Sequence, residues 1–195
     1  VEAIRTLNVQ SDATPPHTEL AVIGGKQASS PMGNTFYASL GTLYALPSVD
    51  PVVNGAASGA AFTRYQDNGG PFVTFASPFS LVEGGHALGY QSQDNVQKLE
   101  VLRSTTVLVD ATAPVSSATI GSPFFVGADG TRYITPATPV TLSAFDPVSN
   151  GVASGVEHIE ISIDDGAFAA YASALTFPEG RHAVLFRTLD RVGNV

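Results

Sequence analysis

The chain has 195 residues, of which 44% are hydrophobic and only 13% charged, with no cysteine, no tryptophan and a formal charge of −8. Nine lysines and arginines against seventeen carboxylates leave no basic stripe for a nucleic acid. The lack of cysteine removes disulfides and thiolate metal sites, and no apolar run of about 18 residues is present to span a bilayer.

Taken in order, residues 1–11 open with Val1-Glu2-Ala3-Ile4-Arg5-Thr6, which reads like the later Leu99-Glu100-Val101-Leu102-Arg103-Ser104. Nothing here has a basic stretch followed by an apolar one, so an export signal, if used, is expected outside the sequence. The Asp12-Ala13-Thr14-Pro15-Pro16 linker leads to a first expected strand, and a second runs to Asp50. An Asn54-Gly55 loop opens a third, and the Asn68-Gly69-Gly70 turn leads to a fourth near Phe72–Phe75. Leu81 precedes a strand from His86, a hairpin at Asp94-Asn95 and a last strand over Leu99–Val109. The series then begins again. Asp110-Ala111-Thr112-Ala113-Pro114 is followed by a strand, then one ending at Asp146, then Asn150-Gly151. Val156–Ile163 puts Ile159, Ile161 and Ile163 on one face, and Asp164-Asp165-Gly166 makes a tight turn toward Phe168–Tyr171. Phe177 precedes a strand from His182, in which Val184, Phe186 and Thr188 match Leu88, Tyr90 and Ser92, and a turn at Asp190–Asn194. No stretch shows a capped 3.6-residue apolar period.

A repeat of about 100 residues is that of whole small domains rather than of a solenoid. About seven short strands per unit, with turns every 8–12 residues, predict immunoglobulin-like sandwiches. The expected fold is all-β: two tandem immunoglobulin-like β-sandwich domains, offset by one strand. Residues 1–11 form the final strand of a preceding or neighbouring-chain repeat, residues 12–109 domain 1, and residues 110–195 domain 2 without its last strand. Two explanations fit that offset. The chain is an excerpt of a longer array, or residues 1–11 of one copy complete domain 2 of another and build a head-to-tail fibre.

Several repeated motifs carry a resemblance. They are Asp110-Ala111-Thr112-Ala113-Pro114, Leu142-Ser143-Ala144-Phe145-Asp146, Ser154-Gly155-Val156, Asp165-Gly166, Glu179-Gly180-Arg181-His182 and Asp190-Arg191-Val192-Gly193-Asn194. Together they resemble the bacterial immunoglobulin-like tandem repeats of large surface and secreted proteins. The likeness spans the whole chain and is weaker in the first unit, where Asp94-Asn95-Val96-Gln97 lacks Gly-Asn and Ala60 replaces the valine. It implies an extracellular or cell-surface location and a stalk, spacer or surface-layer role.

The candidate chemistry is acidic. In this topology the linker, the second-to-third strand loop and the last hairpin share one end of the sandwich. That would gather Asp12, Asp50 and Asp94 in one unit, with Asn54 and Asn95 nearby, and Asp110, Asp146 and Asp190 in the other, with Asn150 and Asn194. Hard carboxylate and amide oxygens on loops suit Ca²⁺. The plainer reading has each Asp accepting bonds from turn N–H groups. His86 and His182 recur without a second ligand or nucleophile and read as structural. Gly24-Gly25-Lys26 lacks the spacing of a phosphate loop. Glu157 and Glu160 fall on opposite strand faces and form no catalytic pair. Phe36, Tyr37, Tyr65, Phe72, Phe75 and Phe79 read as packing rather than as a sugar platform.

The leading functional expectation is a non-enzymatic structural module, stalk, spacer or fibre subunit, whose partners are neighbouring repeats or identical chains, with no nucleic acid and no membrane span. The alternatives are an adhesive or carbohydrate-binding module with a cell-surface or polysaccharide ligand, and an accessory region of a secreted hydrolase.

Overall fold

The computed structural model describes residues 2–195, so Val1, the head of the expected 1–11 strand, lies outside them. Residues 2–16 carry no strand, and residues 2–11 are exposed throughout. From His17 onward the chain is all-β, and among the described residues no helix is long and apolar enough to cross a membrane.

The first half contains β1 (His17–Thr18), β2 (Ala21–Ile23), β3 (Gln27–Ser29), β4 (Thr35–Ser39), β5 (Leu43–Ala45) and β6 (Ser48–Val49). It continues with β7 (Ala60–Asp67), β8 (Val73–Thr74), β9 (Phe79–Ser80), β10 (Gly84–Asp94) and β11 (Arg103–Asp110). Strands β3-β4-β11-β10-β7-β8 make a six-stranded sheet, and β2-β5-β9 a three-stranded one. Their inner faces meet as a sandwich. Ala38, Leu88, Val107 and Val109 from the larger sheet close on Tyr44 from the smaller, with Val22, Phe36 and Phe79 packed around them. Tyr65 of β7 stacks on Phe79 of β9 with ring centroids 4.1 Å apart. The hydroxyl of Tyr44 goes in with its ring, and burial pushes its pKa up to about 12.

The second half contains β12 (Val115–Ile120), β13 (Phe124–Val126), β14 (Arg132–Ile134), β15 (Val140–Phe145), β16 (Val156–Ile163), β17 (Ala169–Ala170) and β18 (Val184–Asp190). It repeats the pairings of the first. The pair β2–β5 returns as β12–β15, the hairpin β3–β4 as β13–β14, and β7 between β8 and β10 as β16 between β17 and β18. No strand of one half pairs with a strand of the other among the described residues. Among the described residues, β9 returns only as a bridge between Val140 and Leu175, and β11 does not return. β11 joins β4 to β10 in the first half, parallel to the one and antiparallel to the other. Without such a strand, β13–β14 is a sheet of two, and β18 has only β16 beside it.

The hairpins β3–β4 and β13–β14 lie where the sequence reading places one plain stretch. Gly24 and Gly25, at φ 66° and 68°, turn the chain out of the β2 sheet and into the β3 sheet. A Cβ on Gly25 would come within 2.0 Å of Thr42 Oγ1, so glycine is required there by space as well as by φ.

The duplicated Asn-Gly loops are two-residue turns of one kind. Asn54-Gly55 has φ of 50° and 78°, and Asn150-Gly151 has 47° and 79°. Both residues at positive φ is the type I′ geometry, which Asn-Gly adopts at least cost. Each turn is closed by paired backbone bonds, Val53 with Ala56 and Ser149 with Val152. The chain is thereby folded back so that the N–H groups of residues 58–59 and 154–155 face the acidic loops.

Candidate metal centre and the joint between the halves

Each acidic triad comes together. Asp12, Asp50 and Asp94 each bring one carboxylate oxygen to within 4.8 Å of the other two, and so do Asp110, Asp146 and Asp190. Asp94, Asp110 and Asp190 are buried, Asp94 to 2% exposure. Among the described residues, none of the six is paired with a lysine, arginine or histidine.

The turn-capping role is present as well. Asp12 accepts from Thr14 N at 3.1 Å and Ser58 N at 2.7 Å, and Asp50 from Gly59 N at 2.6 Å. Asp94 Oδ1 accepts from Val96 N and Lys98 N. In the second half Asp110 accepts from Thr112 N and Ser154 N, and Asp146 from Gly155 N. Asp190 Oδ1 takes three N–H groups, those of Val192, Gly193 and Asn194. These bonds do not use every oxygen. Asp50 Oδ1, Asp94 Oδ2 and Asp146 Oδ1 are buried with no hydrogen-bond partner. A buried carboxylate oxygen without a donor or cation is costly, and turn capping alone does not account for it. Three clustered carboxylates with spare oxygens fit a hard divalent cation such as Ca²⁺.

The electrostatics follow the same geometry. Bonds from Ser58, and then the Thr14 N–H, hold Asp12 below the usual carboxylate range. Asp146 is pushed above it, first by burial and then by the like charges of Asp110 and Asp190, against the Gly155 N–H.

The asparagines expected near the triads use their amide N–H groups to hold the loops. Asn194 donates Nδ2 to Asp190 Oδ2 at 2.6 Å and to the Asp110 carbonyl at 3.2 Å. Asn95 donates Nδ2 to the carbonyls of Ser58 and Gly59. Asn54 is a turn residue, and Asn150 turns its amide to Glu83 at 3.0 Å.

The sequence alone does not mark Glu83 as a site residue, although its motif repeats as Glu179-Gly180-Arg181-His182. It leaves the first half and ties down the second. Its carboxylate accepts from Ala111 N, from Thr112 Oγ1 at 2.5 Å, from Ser149 Oγ at 2.9 Å and from Asn150 Nδ2. The bonds from Thr112 and Ser149, led by the former, hold it below the usual range. Lys26 pairs with Glu157, Arg191 donates to the Ser29 carbonyl, and the Arg191 guanidinium lies 5.9 Å from the Tyr37 ring centre. The triad Asp110, Asp146 and Asp190 therefore sits where the two halves meet.

The two histidines are structural. His86 lies between Asp67 Oδ2 at 2.8 Å and the Val82 carbonyl at 2.9 Å, and His182 between Asp164 Oδ2 at 2.7 Å and the Pro178 carbonyl at 3.1 Å. Glu160 pairs with Arg187, and Phe72 lies beneath the Arg64 guanidinium at 4.4 Å.

No protein-family model and no curated protein matches the chain. Among solved structures it is similar to the fibronectin(III)-like modules of Clostridium thermocellum CbhA, at 13% identity and a TM-score of 0.40, over 90% of this chain and 88% of that one. That similarity is too distant to bear on what this chain does.

Proposed function

We propose that the chain is a structural element of an extracellular or cell-surface protein, in which two tandem immunoglobulin-like domains, residues 12–109 and 110–195, act without catalysis as a stalk, spacer or fibre subunit. The observation that carries this reading is the joint. One carboxylate, Glu83, holds both the linker and the Asn-Gly loop of the following domain, and Pro114 limits the linker's φ. A spacer needs a joint of this kind, and an independent pair of domains does not. The triads Asp12, Asp50, Asp94 and Asp110, Asp146, Asp190 are Ca²⁺ sites in this reading, with the second placed to stiffen the joint. The aromatic side chains favour packing over sugar binding, since Tyr65 stacks on Phe79 and Phe72 on Arg64.

The test is whether the halves tumble as one body. ¹⁵N relaxation should give both halves one rotational correlation time, and Glu83→Ala should split it into two. Independent tumbling in the unaltered chain would end the spacer reading.

A further inference from the structure

We infer that Asn150-Gly151 is a self-modifying turn: when the joint opens, the Gly151 nitrogen attacks the Asn150 side-chain amide, and the acid that results keeps the joint from closing again. The inference rests on the tandem-domain reading and adds a covalent, one-way regulation to its joint.

The chain carries Asn-Gly three times, at Asn54-Gly55, Asn68-Gly69 and Asn150-Gly151. All three are turns with both residues at positive φ, 50° and 78°, 50° and 71°, and 47° and 79°. All six residues are exposed. Glycine leaves its backbone nitrogen unshielded, because it has no Cβ. That nitrogen attacks the asparagine Cγ. The N–Cγ bond forms, and the Cγ–Nδ2 bond breaks. Ammonia leaves with Nδ2 and the proton that the glycine nitrogen gives up, and a succinimide ring remains. Water then opens the ring to aspartate or isoaspartate, so the step needs no reactant besides water.

Asn68 and Asn150 differ in what holds the amide. Asn68 is tied at both ends, with Nδ2 donating to the Gly85 carbonyl at 3.2 Å and Oδ1 accepting from Ala87 N at 2.8 Å. Both partners lie in its own half. Asn150 is tied by Nδ2 to Glu83 at 3.0 Å, across the joint. The first half runs so near that a Cβ on Gly84 would lie 3.8 Å from Asn150 Cβ. The turn is closed by Ser149 and Val152, and among the described residues Gly151 N joins no backbone bond. Ring closure needs the Asn150 side chain to swing onto its own backbone. A side chain pinned to Glu83 is not free to do so. The closed joint therefore protects Asn150, and the open joint exposes it.

The product reverses the sign of the contact. Glu83 stays ionised, since the bonds from Thr112 and Ser149 hold its pKa down. A carboxylate at residue 150 replaces the Nδ2 donor with a second anion beside the same oxygen, leaving Ser149 as the only donor to Glu83 Oε2. Isoaspartate also adds a backbone atom that a two-residue turn has no room for.

The experiment uses the 195-residue chain, aged at mildly alkaline pH and read by peptide mass mapping, which separates amide from acid at each site. Asn150 should convert faster than Asn68. Glu83→Ala should speed Asn150 by about tenfold, the factor set by one charge-assisted hydrogen bond, and leave Asn68 unchanged. An Asn68 rate that rises too would mark unfolding of the first half, and the variants at residue 150 then decide. Asn150→Asp should split the rotational correlation time of the two halves, as should ageing of the unaltered chain. Asn150→Gly, which removes the amide without adding charge and suits the turn, should not. In Glu83→Gln, ageing should no longer loosen the joint. An Asn150 rate indifferent to Glu83→Ala, or an Asn150→Asp chain whose halves still tumble together, overturns the inference and leaves the spacer reading intact. Halves that tumble independently in the fresh chain would end the spacer reading itself, whatever the rates.

Discussion

Among the described residues the two halves share their main strand pairings, and only the first has a strand, β11, on the outer side of its β10 or β18 equivalent. In the first half β11 seals β10, so Leu88, Tyr90 and Ser92 are buried. At the matching positions of β18, Val184 and Phe186 remain half-buried. The same alternation therefore yields different burial, because burial depends on the neighbouring strand as well as on the alternation within it. The largest loss should come from Tyr90→Ala, at about 3–5 kcal/mol for a fully buried aromatic removed. Phe186→Ala should cost roughly half as much, since its ring is only partly withdrawn from water. Urea unfolding resolved by half measures both, and equal costs would break the comparison.

The acidic ends differ in a second way. Asp94 and Asp190 occupy equivalent turns, but the residue four positions on is Lys98 in one and Asn194 in the other. Asn194 supplies an amide to Asp190 Oδ2, whereas Asp94 Oδ2 has nothing. The first triad thus has two unpartnered oxygens and the second has one. Ca²⁺ should raise the melting temperature of the first half more than that of the second. A free concentration a hundredfold above the dissociation constant stabilises by about 2.7 kcal/mol. Asp94→Asn should abolish the gain in the first half alone. Calorimetry with and without chelator reads it, and identical traces would remove the metal from the account.

Without a cation, burial and the like charges of Asp110 and Asp190 disfavour the charged form of Asp146. Asp146 has a raised folded pKa, so the folded state binds that proton more tightly than the unfolded state does. The contribution is present at low pH and is lost as pH rises through the folded value. At neutral pH, Asp146→Asn should therefore raise the melting temperature of the chelated protein, by an amount that solvent screening keeps small. Below the ordinary carboxylate range the advantage should vanish, and in Ca²⁺ it should reverse. An unaltered melting temperature at neutral pH in chelator would show that the three carboxylates do not oppose one another.

Part of this is legible in the sequence because it is local, as the Asn-Gly turns and the strand over Val156–Ile163 follow from turn chemistry and alternation. The gathering of the six aspartates into two triads is legible only through the sandwich topology that the repeated loops imply. The hairpins β3–β4 and β13–β14 are not legible, since they depend on where Gly24-Gly25 redirects the chain and on β4 finding a parallel partner about 70 residues away, a non-local pairing that no sequence window contains. Glu83 is hidden for the same reason. Its motif is visible twice, but its role depends on Ser149 and Asn150 arriving from the other half. Tyr44 escapes a reading by pattern because one aromatic in a three-residue strand gives no period.

The smallest expected effect compares the two histidines. His86 is buried, while His182, with the same two kinds of partner, is partly exposed. The bond to Asp164, helped by the Pro178 carbonyl, raises the pKa of His182, and the bonds from Ala183 N and His182 lower that of Asp164. For His182 the stabilisation is fully present below its unfolded pKa and is lost as pH rises through the raised folded value. For Asp164 it is present above the unfolded carboxylate value and lost as pH falls through the lowered folded one. The pair therefore supports the second half best between those limits, in weakly acidic solution. Raising the pH past neutrality should lower that half's melting temperature slightly, with solvent screening keeping the change small. His182→Gln should flatten the slope without altering the first half. A slope that survives the substitution would assign the pH dependence to another group.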